Sequence, residues 1–104
     1  MNENNLDLYH KKYSEQELEE NINLFDLWLW KLISVRQTLS EEFIEKYSNE
    51  VDWYYISKYQ ILSEKFIKNN SSKINFDSLM ENNNLSKKVK DKIEKEINLL
   101  KEII

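Results

Sequence analysis

The chain contains no cysteine, no glycine and no proline. Without cysteine there are no disulfides, no thiolate metal site and no cysteine nucleophile. Without glycine there is no Gly-rich loop to cradle a phosphate. Helix interiors tolerate neither glycine nor proline well, so their joint absence fits an all-α chain. Turns then fall to Asn, Ser and Asp, which cap locally and tolerate the left-handed region. Alanine is missing too, while Asn, Ile, Lys and Glu abound. That bias is expected of an A+T-rich genome. No apolar run reaches the roughly 18 residues that span a membrane. The opening MNENNLDLYHKK has no signal-peptide apolar core, and a cytoplasmic location is expected.

Residues for chemistry are equally scarce. His10 is the one histidine, and no Cys, Ser or acid stands at a triad spacing from it. Glu15, Glu17, Glu19 and Glu20 cluster, but on a helix Glu15 and Glu19 share a face that Glu17 does not. Asp91, Glu94 and Glu96 are interleaved with lysines. These groups read as solvated faces. Nothing offers a poised acid and base. The chain is expected not to be an enzyme, with no catalytic residue, no metal and no cofactor.

What is present is internal repetition. The 104 residues suffice for one small domain, which at this size buries roughly two thirds of its unfolded surface. Residues 39–61 read LSEEFIEKYSNEVDWYYISKYQI. At a shift of 23, Leu39-Ser40-Glu41-Glu42-Phe43-Ile44 falls on Leu62-Ser63-Glu64-Lys65-Phe66-Ile67. Val51-Asp52-Trp53 falls on Ile74-Asn75-Phe76, and Ile56 falls on Leu79. Backwards, Trp30, Ile33, Ser34 and Gln37 match Trp53, Ile56, Ser57 and Gln60. A third copy starts at Leu85-Ser86-Lys87-Lys88-Val89 and decays. A fixed period in this range implies stacked helical units.

The punctuation supports helices. Ser40, Asp52, Ser63 and Asn75 are N-cap residues. Each is preceded by an apolar residue and followed four later by another, giving Leu39 with Ile44, Val51 with Ile56, Leu62 with Ile67, and Ile74 with Leu79. That is the hydrophobic staple. Helices are expected over roughly 41–48, 53–60, 64–70 and 76–82. Ser14 with Glu17 forms a capping box, opening a long N-terminal helix, straight or bent near Asp26, that is apolar on nearly all sides between Leu24 and Ile33. Such a helix is central to a core or committed to an interface. Asn82-Asn83-Asn84 reads as a turn. Beyond it a last helix carries Val89, Ile93, Ile97, Leu100 and Ile104 on one stripe, either capping its own stack or pairing with a second copy.

The expected fold is all-α: a compact bundle of helix-turn-helix repeats with a period of about 23, packed on that N-terminal helix and closed by the C-terminal amphipathic one. Residues 1–12 form a polar arm and 13–104 a single domain. Leu6, Leu8 and Tyr9 of the arm would dock if a partner or second copy offered a groove.

The stretch LSEEFIEKYSNEVDWYYISKYQ resembles short tandem repeats, LSEDFI…KVNW…IS.YQ in outline, of proteins from phages and large DNA viruses. The resemblance runs from Leu39 to about Leu79. The second copy departs from it, with Phe76 in place of Trp and without the IS.YQ ending. It implies a phage or mobile-element origin and says nothing of catalysis.

Charge is uneven. Residues 1–61 hold six basic and twelve acidic side chains, and residues 62–104 hold nine and seven. Tyr and Trp bury much area at small entropic cost and dominate interfaces. Trp28, Trp30, Tyr47, Tyr54, Tyr55 and Tyr59 are therefore the aromatic interface candidates, and Glu15, Glu19, Glu20, Glu42 and Glu45 the acidic ones. Inter-repeat packing is the competing role for the rings, and solvation for the acids. The expected function is a small protein that binds a host protein or ribonucleoprotein complex. Its sharpest version is an anti-CRISPR-like inhibitor of a host defence nuclease, by analogy with small phage proteins that occupy a host surface. Two alternatives remain open. One is a homodimer or larger structural assembly. The other is a helix-turn-helix DNA regulator reading DNA with residues 53–60. Only Lys58 of that stretch could meet phosphate, so direct nucleic-acid binding is not expected.

Overall fold

The structure is a computed structural model that describes residues 6–103. Residues 1–5 and Ile104 lie outside the described residues, as do the side chains of Leu100, Lys101 and Ile103. Among the described residues the regular elements are all helices, with no strand: α1 Glu15–Glu20, α2 Leu27–Arg36, α3 Glu41–Lys46, α4 Trp53–Tyr59, α5 Glu64–Asn69, α6 Phe76–Leu79 and α7 Lys87–Ile103. α2 packs on α4 and α4 on α6, so these helices form a row. The body measures 56 × 24 × 20 Å, with a radius of gyration of 15.2 Å against about 13 Å for a spherical domain of this size.

Every expected cap is made. Ser14, Ser40 and Ser63 accept from the amides of Glu17, Phe43 and Phe66, and Ser86, not foreseen as a cap, accepts from Val89. Asp52 and Asn75 accept from Tyr55 and Ser78. Glu17 returns the capping box by accepting from the Ser14 amide at 2.9 Å. All eight staple residues are buried in one core. The helices stop sooner than the pattern suggested. After α3, the amides of Tyr47 and Val51 bond back to the Phe43 and Tyr47 carbonyls, and the turn closes. None of the described residues has positive φ. The turns thus use ordinary right-handed backbone and not the left-handed residues that Asn and Asp allow.

A long apolar N-terminal helix is not what the chain forms. α1 ends at Glu20, a 3-10 turn spans Ile22–Leu24, and α2 starts afresh at Leu27. Two polar side chains explain the break. Asn21 donates to the Glu17 carbonyl at 2.9 Å, and the Asp26 carboxylate caps the Leu29 amide at 2.9 Å. The apolar run is therefore shared between surroundings. Trp30 and Ile33 enter the core, while Leu24, Leu27 and Trp28 are exposed. The N-terminal segment also differs from a free arm: Leu8 is buried in its own chain's core, with Tyr9 exposed beside it.

Buried amides tie each loop to the previous one. The Gln60 side chain donates to the Ser34 and Gln37 carbonyls at 2.9 and 2.7 Å and accepts from the Leu39 amide at 3.0 Å. Gln37 does the same one level earlier, to Leu8 and Lys11 and from Tyr13. Asn82 does it one level later, to Ser57 and Gln60 and from Asn84. A second series runs through buried serines. Ser34 and Ser57 donate to the Trp30 and Trp53 carbonyls and accept the amides of Asp52 and Asn75, both at 3.0 Å. A third uses carboxylates. Glu15 accepts from the amide and hydroxyl of Ser40, and Glu41 from those of Ser63.

The C-terminal helix packs on its own chain. Ile93 is buried, Val89 and Ile97 flank the core, and Lys92–Glu64 and Lys68–Glu96 pairs link α7 to α5. Leu100 and Ile104, also expected on its stripe, lie outside the described side chains.

Removing one rung strands several buried groups. Gln60→Ala leaves two carbonyls and one amide without partners, each costing about 1–3 kcal/mol. The expected loss is at least about 3 kcal/mol, read as a fall in Tm of more than about 12 °C. Thr38→Ala, at an exposed position, is the control and stays within about 0.5 kcal/mol.

Candidate functional site

The alternation of helices sorts the charges. α1 and α3 carry Glu15, Glu17, Glu19, Glu20, Glu41, Glu42 and Glu45 against one cation, Lys46. α2 and α4 carry Lys31, Arg36 and Lys58 and no carboxylate. Apart from Tyr47, which caps α3, the acidic and aromatic candidates therefore lie on different helices and do not make one acidic, aromatic surface.

Several candidates are committed inside the chain. Trp30 is 5% exposed, edge-on to Phe25 at 5.5 Å and against Tyr47 at 5.5 Å. It is a core residue and not an interface one. Tyr47 packs on Phe43 and donates its hydroxyl to Glu19 at 2.7 Å. Glu15 holds Ser40, and Glu19 also pairs with Lys46 at 2.7 Å. Glu20, Glu42 and Glu45 are exposed. Glu42 and Glu45 border a shallow polar cleft with Glu41 and Lys65.

Three aromatic candidates face outward, with a fourth beside them. Trp28 is 68% exposed, and Tyr54 and Tyr59 are 43% and 44%. Half-buried Tyr55 joins them, edge-on to Tyr54 at 5.1 Å and stacked on Tyr59 at 6.2 Å. Tyr55 also lines a groove of about 230 Å³ with Trp28, Tyr9, Leu32, Val35, Lys31 and Arg36. Arg36 sits over the Tyr9 ring at 4.0 Å. The Lys12 ammonium reaches the Arg36 carbonyl. Sequence reasoning missed Arg36 and Lys31 here, along with exposed Leu27 and Ile61. The available signal was the apolar run of α2, too wide for one buried face.

Lys58, the one cation of the proposed DNA-reading stretch, pairs with Glu81 at 3.3 Å. That hydrogen bond, with the Tyr54 and Tyr59 rings, raises its pKa above the ordinary lysine value. Asp7 is held low, chiefly by the His10 backbone amide. A second concavity of about 220 Å³ lies between α5, α6 and α7, lined by Ile67, Phe76, Ile93, Ile97 and Glu96. Glu96 keeps one oxygen, Oε1, out of water and without a hydrogen bond. No group of three metal-ligating side chains occurs among the described residues, and none of their helices is long and apolar enough to cross a membrane.

The Glu19 cluster sets an acid dependence. Hydrogen bonds from Lys46 and then Tyr47 hold the Glu19 carboxyl below its ordinary 4.5. A carboxyl lowered by folding stabilises fully above its unfolded value and loses that contribution as pH falls through the lower, folded one. Glu19→Gln is expected to flatten the acid limb of Tm against pH below about 4.5. An acid limb identical to that of the parent chain would refute the contribution.

No family model matches the chain, and no curated protein or solved structure gives a significant match to it.

Proposed function

We propose that this chain is a non-enzymatic binding protein. It would be a stack of helix-turn-helix units of about 23 residues that presents the outer face of α2 and α4 to another protein. One observation carries the reading: Trp28, Tyr54, Tyr55 and Tyr59 form a connected, solvent-facing aromatic surface on a small body. Exposed apolar patches of this kind mark interaction sites, and Trp and Tyr supply the anchors. The buried ladders support it too, because they hold successive helices in register and leave this face rigid.

The resemblance of residues 39–79 to phage and viral repeats supports a partner in a bacterial host's cytoplasm. The sharpest form is an anti-CRISPR-like inhibitor that occupies a surface of a defence nuclease complex, a step resting on analogy. A protein partner is favoured over DNA because α4 turns tyrosines outward and its one lysine is paired.

The test is affinity capture from a low-GC bacterial lysate, with and without nuclease. A single host protein retained in both samples is expected, and lost with Trp28→Ala plus Tyr54→Ala while Tm holds. Trp30→Ala, by contrast, should cost about 3–5 kcal/mol. Undiminished capture by the double variant, or recovery that vanishes with nuclease, rejects the reading.

A further inference from the structure

We infer that the α2 end of this face receives an acidic, apolar-anchored segment of the partner protein. The inference rests on the binding reading above and adds the partner's chemistry. The groove beside Trp28 combines aliphatic walls, Leu32 and Val35, with two cations, Lys31 and Arg36. Among the described residues neither cation is paired with a carboxylate. Lysines 46, 58, 68, 87 and 92 each have one, while other described lysines, like these two cations, have none; what sets Lys31 and Arg36 apart is that they line an aromatic and aliphatic groove.

The location of these cations matters in a chain of net charge −4. α2 and α4 contribute no carboxylate to repel an anion. Two acids flank the groove, Asp7 bonded to His10 and Asp26 to the Leu29 amide; both keep their charge and are outnumbered by the cations at this end. Lys12, anchored on the Arg36 carbonyl, places a third cation at the same end. Arg36 lies over Tyr9, which positions the guanidinium while its edge donors remain free to fork a carboxylate. The aliphatic walls suit a Leu- or Phe-sized side chain. A nucleic acid would need more positive charge than three cations on an acidic protein supply.

The test uses the full chain and a labelled synthetic peptide alternating glutamate with leucine and phenylalanine. Its lysine-for-glutamate counterpart and an oligothymidylate serve as competing probes. Saturable binding of the glutamate peptide is expected. It should weaken at least about tenfold in Lys31→Glu/Arg36→Glu, and less in Lys31→Gln/Arg36→Gln. Binding should also fall with added salt, while Tm is unchanged. Equal binding of the lysine peptide, tighter binding of the oligonucleotide, or indifference to charge reversal overturns the inference. So does self-association by light scattering that the charge reversal abolishes, because a second copy would then fill the groove. Where a captured host protein is lost with the aromatic variant but kept with the charge-reversed one, the binding reading stands and this inference falls.

Discussion

A buried carboxamide with both ends satisfied is the interaction on which this fold depends. Gln60 reaches from the end of α4 to the last turn of α2 and the loop before α3, bonding the Ser34 and Gln37 carbonyls and the Leu39 amide. One of those carbonyls belongs to Gln37, which performs the same task one level earlier. Asn82 in turn holds the Gln60 carbonyl. Each side chain thus captures the backbone of the side chain before it. The chain has no disulfide and no glycine or proline to shape its turns. Its helices, six or seven residues long in several cases, are too short to be stable by themselves. Tertiary bonds to the loops replace what local propensity cannot supply, and a buried group left unpaired would be costly.

Much of this was legible and some was not, for identifiable reasons. The caps and staples were visible because they are local: a serine, an apolar residue before it and another four later suffice. Gln37 and Gln60 were visible as equivalent positions but not as rungs, since glutamine in a sequence reads as solvent-facing. Asn82 hid better. It stands 22 residues after Gln60, with a shorter side chain, inside an asparagine run that looked like a plain turn. At Asp26 the sequence leaves a bend and a straight helix equally open: the residue is a capping one, but hydrophobicity on both sides of it favours continuation. Burial of Leu8 depends on Gln37 bonding the Leu8 carbonyl from 29 residues away, a contact no local pattern encodes.

The surface followed a different logic. Summed along the chain, the first 61 residues are acidic, and that average suggested an acidic, aromatic face. Folding alternates the helices, so the glutamates of α1 and α3 separate from the cations and rings of α2 and α4. Trp28 and Trp30, two residues apart, end in opposite environments, one in solvent and one in the core. Side-chain direction on a helix turns about 100° per residue. Function here is a property of one face, which no average over the sequence resolves.

Amide hydrogen exchange on the native protein tests the central claim most directly. The loop amides of Tyr13 and Leu39, bonded to Gln37 and Gln60 side chains, and those of Asp52 and Asn75, bonded to Ser34 and Ser57, should exchange as slowly as the core amide of Ile56. That result would show that the side-chain rungs open only when the stack unfolds. Exchange of these four amides at surface-loop rates, with Ile56 still protected, would contradict the account and leave the helices held by hydrophobic packing alone.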